Sequence, residues 1–80
     1  MLINSPLIYN VNKTFKYLIL NHFNEMKFEE IIFYMEDINE IQIKMVDIKI
    51  ELNGKDINEN IYKQLINLFD KNKGNLKFQK

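Results

Sequence analysis

Apolar and polar residues alternate through the middle of the chain. Ile41, Ile43 and Met45 alternate with Gln42 and Lys44, and Ile48, Ile50 and Leu52 alternate with Lys49 and Glu51. A period of two predicts strands with one buried face. At Val46-Asp47 the alternation slips by one residue. No glycine stands beside Asp47 to ease a tight turn, so the slip predicts a β-bulge in one long strand in preference to a turn between two short ones. Asn53-Gly54 follows as a type I′ turn dipeptide. After it, Lys55-Asp56-Ile57 is at most a stub of returning strand.

Elsewhere the period lengthens to that of a helix. Ile57, Ile61, Leu65 and Leu68 form an apolar stripe, widened by Tyr62, Ile66 and Phe69. Asp56 and Glu59 have the spacing of a capping box, while Lys71 and Lys73 suit a helix C-terminus ahead of Gly74, a natural stop. These signals predict a helix over about 57–72. A second helix is predicted over about 13–23, capped by Asn12, stapled by Val11 and carrying Phe15, Leu18, Ile19 and His22 at helical spacing. The competing reading there is a strand at Phe15–Leu20.

Residues 28–36 satisfy both patterns. Phe28, Ile31, Ile32, Met35 and Ile38 fit an amphipathic helix, yet Ile31–Met35 is a compact run of strand-forming residues flanked by charge. A strand at about 30–36 is the preferred reading and a helix the alternative. Residues 1–10 read as an extended lead, with Pro6 favouring an extended Ser5 and Leu7-Ile8-Tyr9 available as a short edge strand. Residues 75–80 read as a loose tail in which Leu76 and Phe78 could pair as another edge. The expected fold is therefore a single α+β domain over 1–80. It has a small antiparallel sheet of two to four strands with two helices packed on one face.

Composition adds constraints. The 80 residues are 46% hydrophobic and 28% charged, which suits a globular domain with one modest core. Ile (13), Asn (12) and Lys (11) dominate, while Ala, Arg, Cys and Trp are absent. Residues with A/T-rich codons are favoured, so an AT-rich genome explains the bias. The absent arginines then leave lysine to fill cationic roles without a planar fork. Lack of cysteine removes disulfides, thiol nucleophiles and thiolate metal sites. The longest apolar run, Ile31–Met35, is far short of a membrane span, and the start has no charged n-region and apolar stretch of a secretory signal, so a cytoplasmic protein is expected.

Catalytic motifs are not found. The single serine (Ser5) and single histidine (His22) have no nucleophile elbow between them, and two glycines, at 54 and 74, cannot write a P-loop, a dinucleotide fingerprint or an EF-hand. His22 and Glu25 do not make a metal site. Glu29-Glu30 and Glu36-Asp37 read as solvated charges and not as an acid/base pair, because a domain of this size has little room for a cleft. No catalytic residue, metal or cofactor is assigned, and a non-enzymatic protein is expected.

Charge is more informative. The formal net charge of zero is a sum of unequal parts: +2 over residues 1–24 (Lys13, Lys16), −6 over 25–59 (ten acids, four lysines) and +4 over 60–80 (five lysines, Asp70). The acidic middle, Glu25, Glu29, Glu30, Glu36, Asp37, Glu40, Asp47 and Glu51, points to docking on the basic surface of a larger protein. Where that surface normally holds nucleic acid, the domain would compete for it. In size, coding bias and acidic α+β character the chain is similar to small phage-encoded inhibitors of bacterial defence nucleases such as anti-CRISPR proteins; no motif carries the likeness. The alternative is a nucleic-acid-binding accessory role for Lys63, Lys71, Lys73, Lys77 and Lys80 with Tyr62 and Phe78. Its density of basic residues is low, and Tyr62 and Phe78 read better as core or dimer contacts. Fourteen aromatic and Met residues, among them Tyr9, Tyr17, Phe33 and Tyr34 as candidates for exposure, also allow a homodimer.

Overall fold

The period-two alternation resolves into two tight hairpins. The structure, a computed structural model, describes residues 6–79, and side chains at all of these except 33, 34, 75 and 77–79. The elements run β1 (Leu7–Val11), α1 (Lys13–Glu25), α2 (Glu29–Met35), β2 (Glu40–Val46), β3 (Lys49–Leu52), β4 (Lys55–Ile57), α3 (Glu59–Lys71), a 3₁₀ turn (Lys73–Asn75) and β5 (Leu76–Gln79). The fold is α+β, and its sheet is antiparallel at every pairing, with strand order β4-β3-β2-β1-β5.

The slip at Val46-Asp47 is a turn and not the expected bulge. Val46 pairs with Lys49, Met45 with Ile50 and Ile43 with Leu52, so odd positions on β2 share a face with even positions on β3. A two-residue loop requires that change of parity. Asp47 accepts φ +57 there without glycine, which its short polar side chain tolerates better than most. The next turn is as expected: Asn53 and Gly54 take φ +48 and +86. Asn53 does more than turn. Its Oδ1 accepts from the Gln42 N–H (2.6 Å) and its Nδ2 donates to the Glu40 carbonyl (3.0 Å), so the side chain serves β2 beyond the end of β3.

Glu29–Met35 is a helix and not the strand expected at about 30–36. Ile31 and Met35, one turn apart, are buried, and Glu29 and Glu30 occupy the first turn, where acids suit the helix dipole. The junction with α1 fixes this outcome. Lys27 takes φ +59, its N–H reaches the Asn24 carbonyl (3.0 Å) and the Phe28 N–H reaches that of Phe23 (3.0 Å). That is a Schellman turn with lysine at the glycine position, closed by Phe28 against Phe23 at 5.6 Å between ring centroids. It folds the segment back beside α1.

Two further expectations shift. Asp56 does not cap α3, because Lys55–Ile57 pairs with β3 and holds the chain extended. The cap passes to Asn58, whose Oδ1 accepts from the Ile61 N–H (2.8 Å), as Asn12 does for Phe15 (2.8 Å). Leu7–Val11 is no edge: it lies between β2 and β5, and the expected loose tail supplies β5 through the register Val11↔Leu76. With β4 and β5 paired, the sheet has five strands where two to four were expected. The extended reading of Ser5 lies outside the described residues.

The core lies on one sheet face. Tyr9, Val11, Ile41, Ile43 and Leu52 share that face by register and are buried. Phe15, Ile19 and Phe23 of α1, Ile31 and Met35 of α2, and Ile61, Leu65 and Phe69 of α3 join them in one cluster. Tyr9 is thus a core residue and not part of an exposed patch.

Two substitutions test the turns. Lys27→Gly relieves a left-handed lysine and is expected to stabilise the fold by about 0.5–1 kcal/mol in urea denaturation. Asn53→Ala loses both backbone contacts and the tolerance of positive φ, and is expected to cost about 1–3 kcal/mol; Asn53→Gly recovers only the conformational part.

Candidate interaction surface

The acids expected to form one face are divided by the fold among four places. Glu40 and Glu51 point from β2 and β3 to the polar sheet face, on the same side as Asp56, Lys44 and Lys49. There Lys44 lies opposite Glu51 (3.9 Å), and Lys49 reaches Asp56 (3.5 Å). This ladder of both signs neutralises all but Glu40 of its acids. Asp47 stands at the β2–β3 tip, at the far end of β2 from Glu40. Glu30 is paired with Lys55 (3.7 Å).

Glu29 and Glu36 form a further group, and Asp37 follows Glu36 in the turn after α2. Glu29 opens α2, Glu36 follows its last residue, and both rim one groove between α1 and α2. Its floor holds Leu20 and Ile32, both half-buried, with Asn21 and Asn24 on the α1 side. A neighbouring depression shares Leu20 and Glu36 and adds Lys13, Lys16 and Tyr17, the last 61% exposed as its candidacy for a surface patch implied. Among the described residues Glu29, Glu36 and Asp37 have no ion-pair partner. The sequence pattern places Ile32 on an apolar stripe and Leu20 at the end of a possible strand, and marks neither as part of an interaction surface. Leu20 is an apolar residue just off the stripe Phe15-Ile19-Phe23, and that offset was the available signal.

The lysines of the alternative reading are scattered. Lys63 pairs with Glu59 (3.4 Å), and Lys73 pairs with Asp70 (3.8 Å). Lys71 ends α3, eight residues and roughly 12 Å along the helix from Lys63. Tyr62 is half-buried beside the core. The side chains of Lys77, Phe78, Phe33 and Tyr34, and all of Lys80, lie outside the described residues.

His22 lies edge-on to Phe23, and its Nε2 is 3.1 Å from Gln64 Oε1, a side-chain tie between α1 and α3. With Nε2 protonated, the ring donates to the amide oxygen. Ser5 lies outside the described residues. Among the described residues no group of three His, Asp or Glu side chains could hold a metal ion. No helix among them is long and apolar enough to cross a membrane.

A perturbed ionisation lies in the core. Burial pushes the Tyr9 phenol above its ordinary value, and the nearby Tyr62 and Asp70 push it the same way. Its folded-state pKa therefore exceeds the unfolded value of about 10. The stabilisation is complete below that value and is lost as pH rises through the folded pKa. Wild type is expected to lose stability relative to Tyr9→Phe as pH climbs past about 10, read from urea midpoints of both proteins. Parallel pH profiles would refute the assignment.

No family model, curated protein or solved structure matches the chain.

Proposed function

We propose that this protein is a non-enzymatic interaction module that takes a basic protein surface against its α1–α2 groove. The observation that carries the reading is the pairing of an apolar floor, Leu20 and Ile32, with rim carboxylates, Glu29 and Glu36, that have no ion-pair partner among the described residues. Apolar floors supply the affinity of protein interfaces, and unpaired rim charges select the sign of the partner and speed its arrival. In this reading the helices back onto the apolar sheet face, and the outer surface of α1 and α2 is left for the partner. The acidic site narrows accordingly to Glu29, Glu36 and Asp37. A partner surface of this charge is one that nucleic acid also occupies, so the module would act by competition, in the manner of a small inhibitor. Scattered and internally paired lysines give the nucleic-acid reading less support.

The test is capture from a nuclease-treated lysate with mass spectrometry, followed by affinity measurements on the recovered protein. The combined variant Glu29→Lys, Glu36→Lys, Asp37→Lys is expected to weaken capture by about tenfold or more, and wild-type binding is expected to fall as salt rises. Recovery of nucleic acid alone, with every partner removed by nuclease, would exclude the proposal.

A further inference from the structure

The β2–β3 tip carries an anomaly of a different kind. Ile48 is the second residue of a two-residue turn, a place that usually falls to Gly, Asn, Asp or Ser, and its side chain is 96% exposed. Beside it lies a groove floored by Met45, Ile50, Ile57 and Tyr62, all half-buried. One surface thus holds both an apolar knob and an apolar hollow. The rim of this groove is neutral in sum. Lys49 and Asp56 stand on it as one pair (3.5 Å), and Lys63 and Glu59 as another (3.4 Å). Such a rim draws neither a strongly basic nor a strongly acidic partner. It complements a surface that is itself neutral, with both signs side by side.

A second copy of the chain has that surface. We propose that the protein forms a two-fold dimer in which Ile48 of each copy enters the Met45–Ile50–Ile57–Tyr62 groove of the other, with rim lysines facing rim acids across the axis. An isologous interface requires a patch that is its own complement, and a knob beside a hollow with two charges of each sign meets that requirement. The short outer strand β4, which lines the same groove, carries Lys55 and Asp56 and is thereby guarded against open-ended pairing. The α1–α2 groove shares no residue with this surface, so either proposal can fail alone.

The experiment is sedimentation equilibrium of the full chain from low-micromolar to millimolar concentration, with Ile48→Lys in parallel. Wild type is expected to move from monomer to dimer, and Ile48→Lys is expected to stay monomeric with an unchanged thermal melt, because the replaced side chain is exposed. The absence of native cysteine permits a second readout. Mixing Ile48→Cys with Lys63→Cys chains under mild oxidation is expected to give the mixed disulfide in excess over either homodimer. A wild-type chain that stays monomeric at millimolar concentration overturns the proposal. So does a dimer that persists in Ile48→Lys, or a mixed disulfide no more abundant than chance pairing gives.

Discussion

The fold turns on one aromatic contact. Tyr9 of β1 stacks on Phe69 of α3 with centroids 4.2 Å apart, and Phe69 meets Phe15 of α1 at 5.6 Å. Phe69 lies more than fifty residues from Tyr9 and Phe15, and the three belong to β1, which is paired on both sides, and to the two longest helices. An 80-residue chain buries too little surface to tolerate a loose core, and aromatic side chains bury the most area per residue. Once Tyr9 is seated, the register Tyr9↔Ile41 sets β2 and Val11↔Leu76 sets β5. The raised Tyr9 phenol is a consequence of that seating.

Asparagine takes over positions that other proteins give to glycine, serine or threonine. With two glycines, one proline, one serine and one threonine, this chain has few of the usual residues for ending or capping an element. Asn12 and Asn58 cap α1 and α3, Asn53 turns β3 into β4 and serves β2, and the Asn72 amide donates to the Leu68 carbonyl at the end of α3. A short side chain that both donates and accepts, and that tolerates positive φ, suits all of these roles. The coding bias that explains the abundance of asparagine therefore does not exhaust its meaning. Lys27 and Asp47 show the cost of scarce glycine, since both hold left-handed backbone with a side chain attached.

The charge pattern changes character in three dimensions. Along the chain the middle is acidic, but cross-strand geometry brings Lys44 to Glu51 and Lys49 to Asp56, and the α2–β4 approach brings Lys55 to Glu30. Exposed pairs of this kind add little stability. Their effect is on what remains: of the acids without an ion-pair partner among the described residues, Glu29, Glu36 and Asp37 lie on α2 and in the turn after it, while Glu25, Glu40 and Asp47 stand elsewhere. A neutral rim encloses the separate Ile48 surface. Segment sums could not make that separation, because ion pairing follows register and not sequence distance.

Sequence alone determined the features set by local chemistry. The α3 stripe, the Asn12 cap, the Asn53-Gly54 turn and the alternation on β2 and β3 are written within a few residues of where they act, and they gave the α+β class. The slip at Val46-Asp47 was visible too, but whether it meant a bulge or a turn depended on Asp47 accepting positive φ, which a sheet partner enforces. Residues 28–36 fitted two periods, and the Schellman turn at Lys27 with the Phe23–Phe28 contact chose the helix. The Asp56 cap failed because β3 held Asp56 in a strand. The promotion of Leu7–Val11 to an inner strand depended on β5, some sixty-five residues away. Propensity and capping are local energies of about 1 kcal/mol, and burial and strand pairing exceed them wherever the two compete. Tertiary structure therefore decided the helix at 29–35, the strand order and the grouping of the free acids.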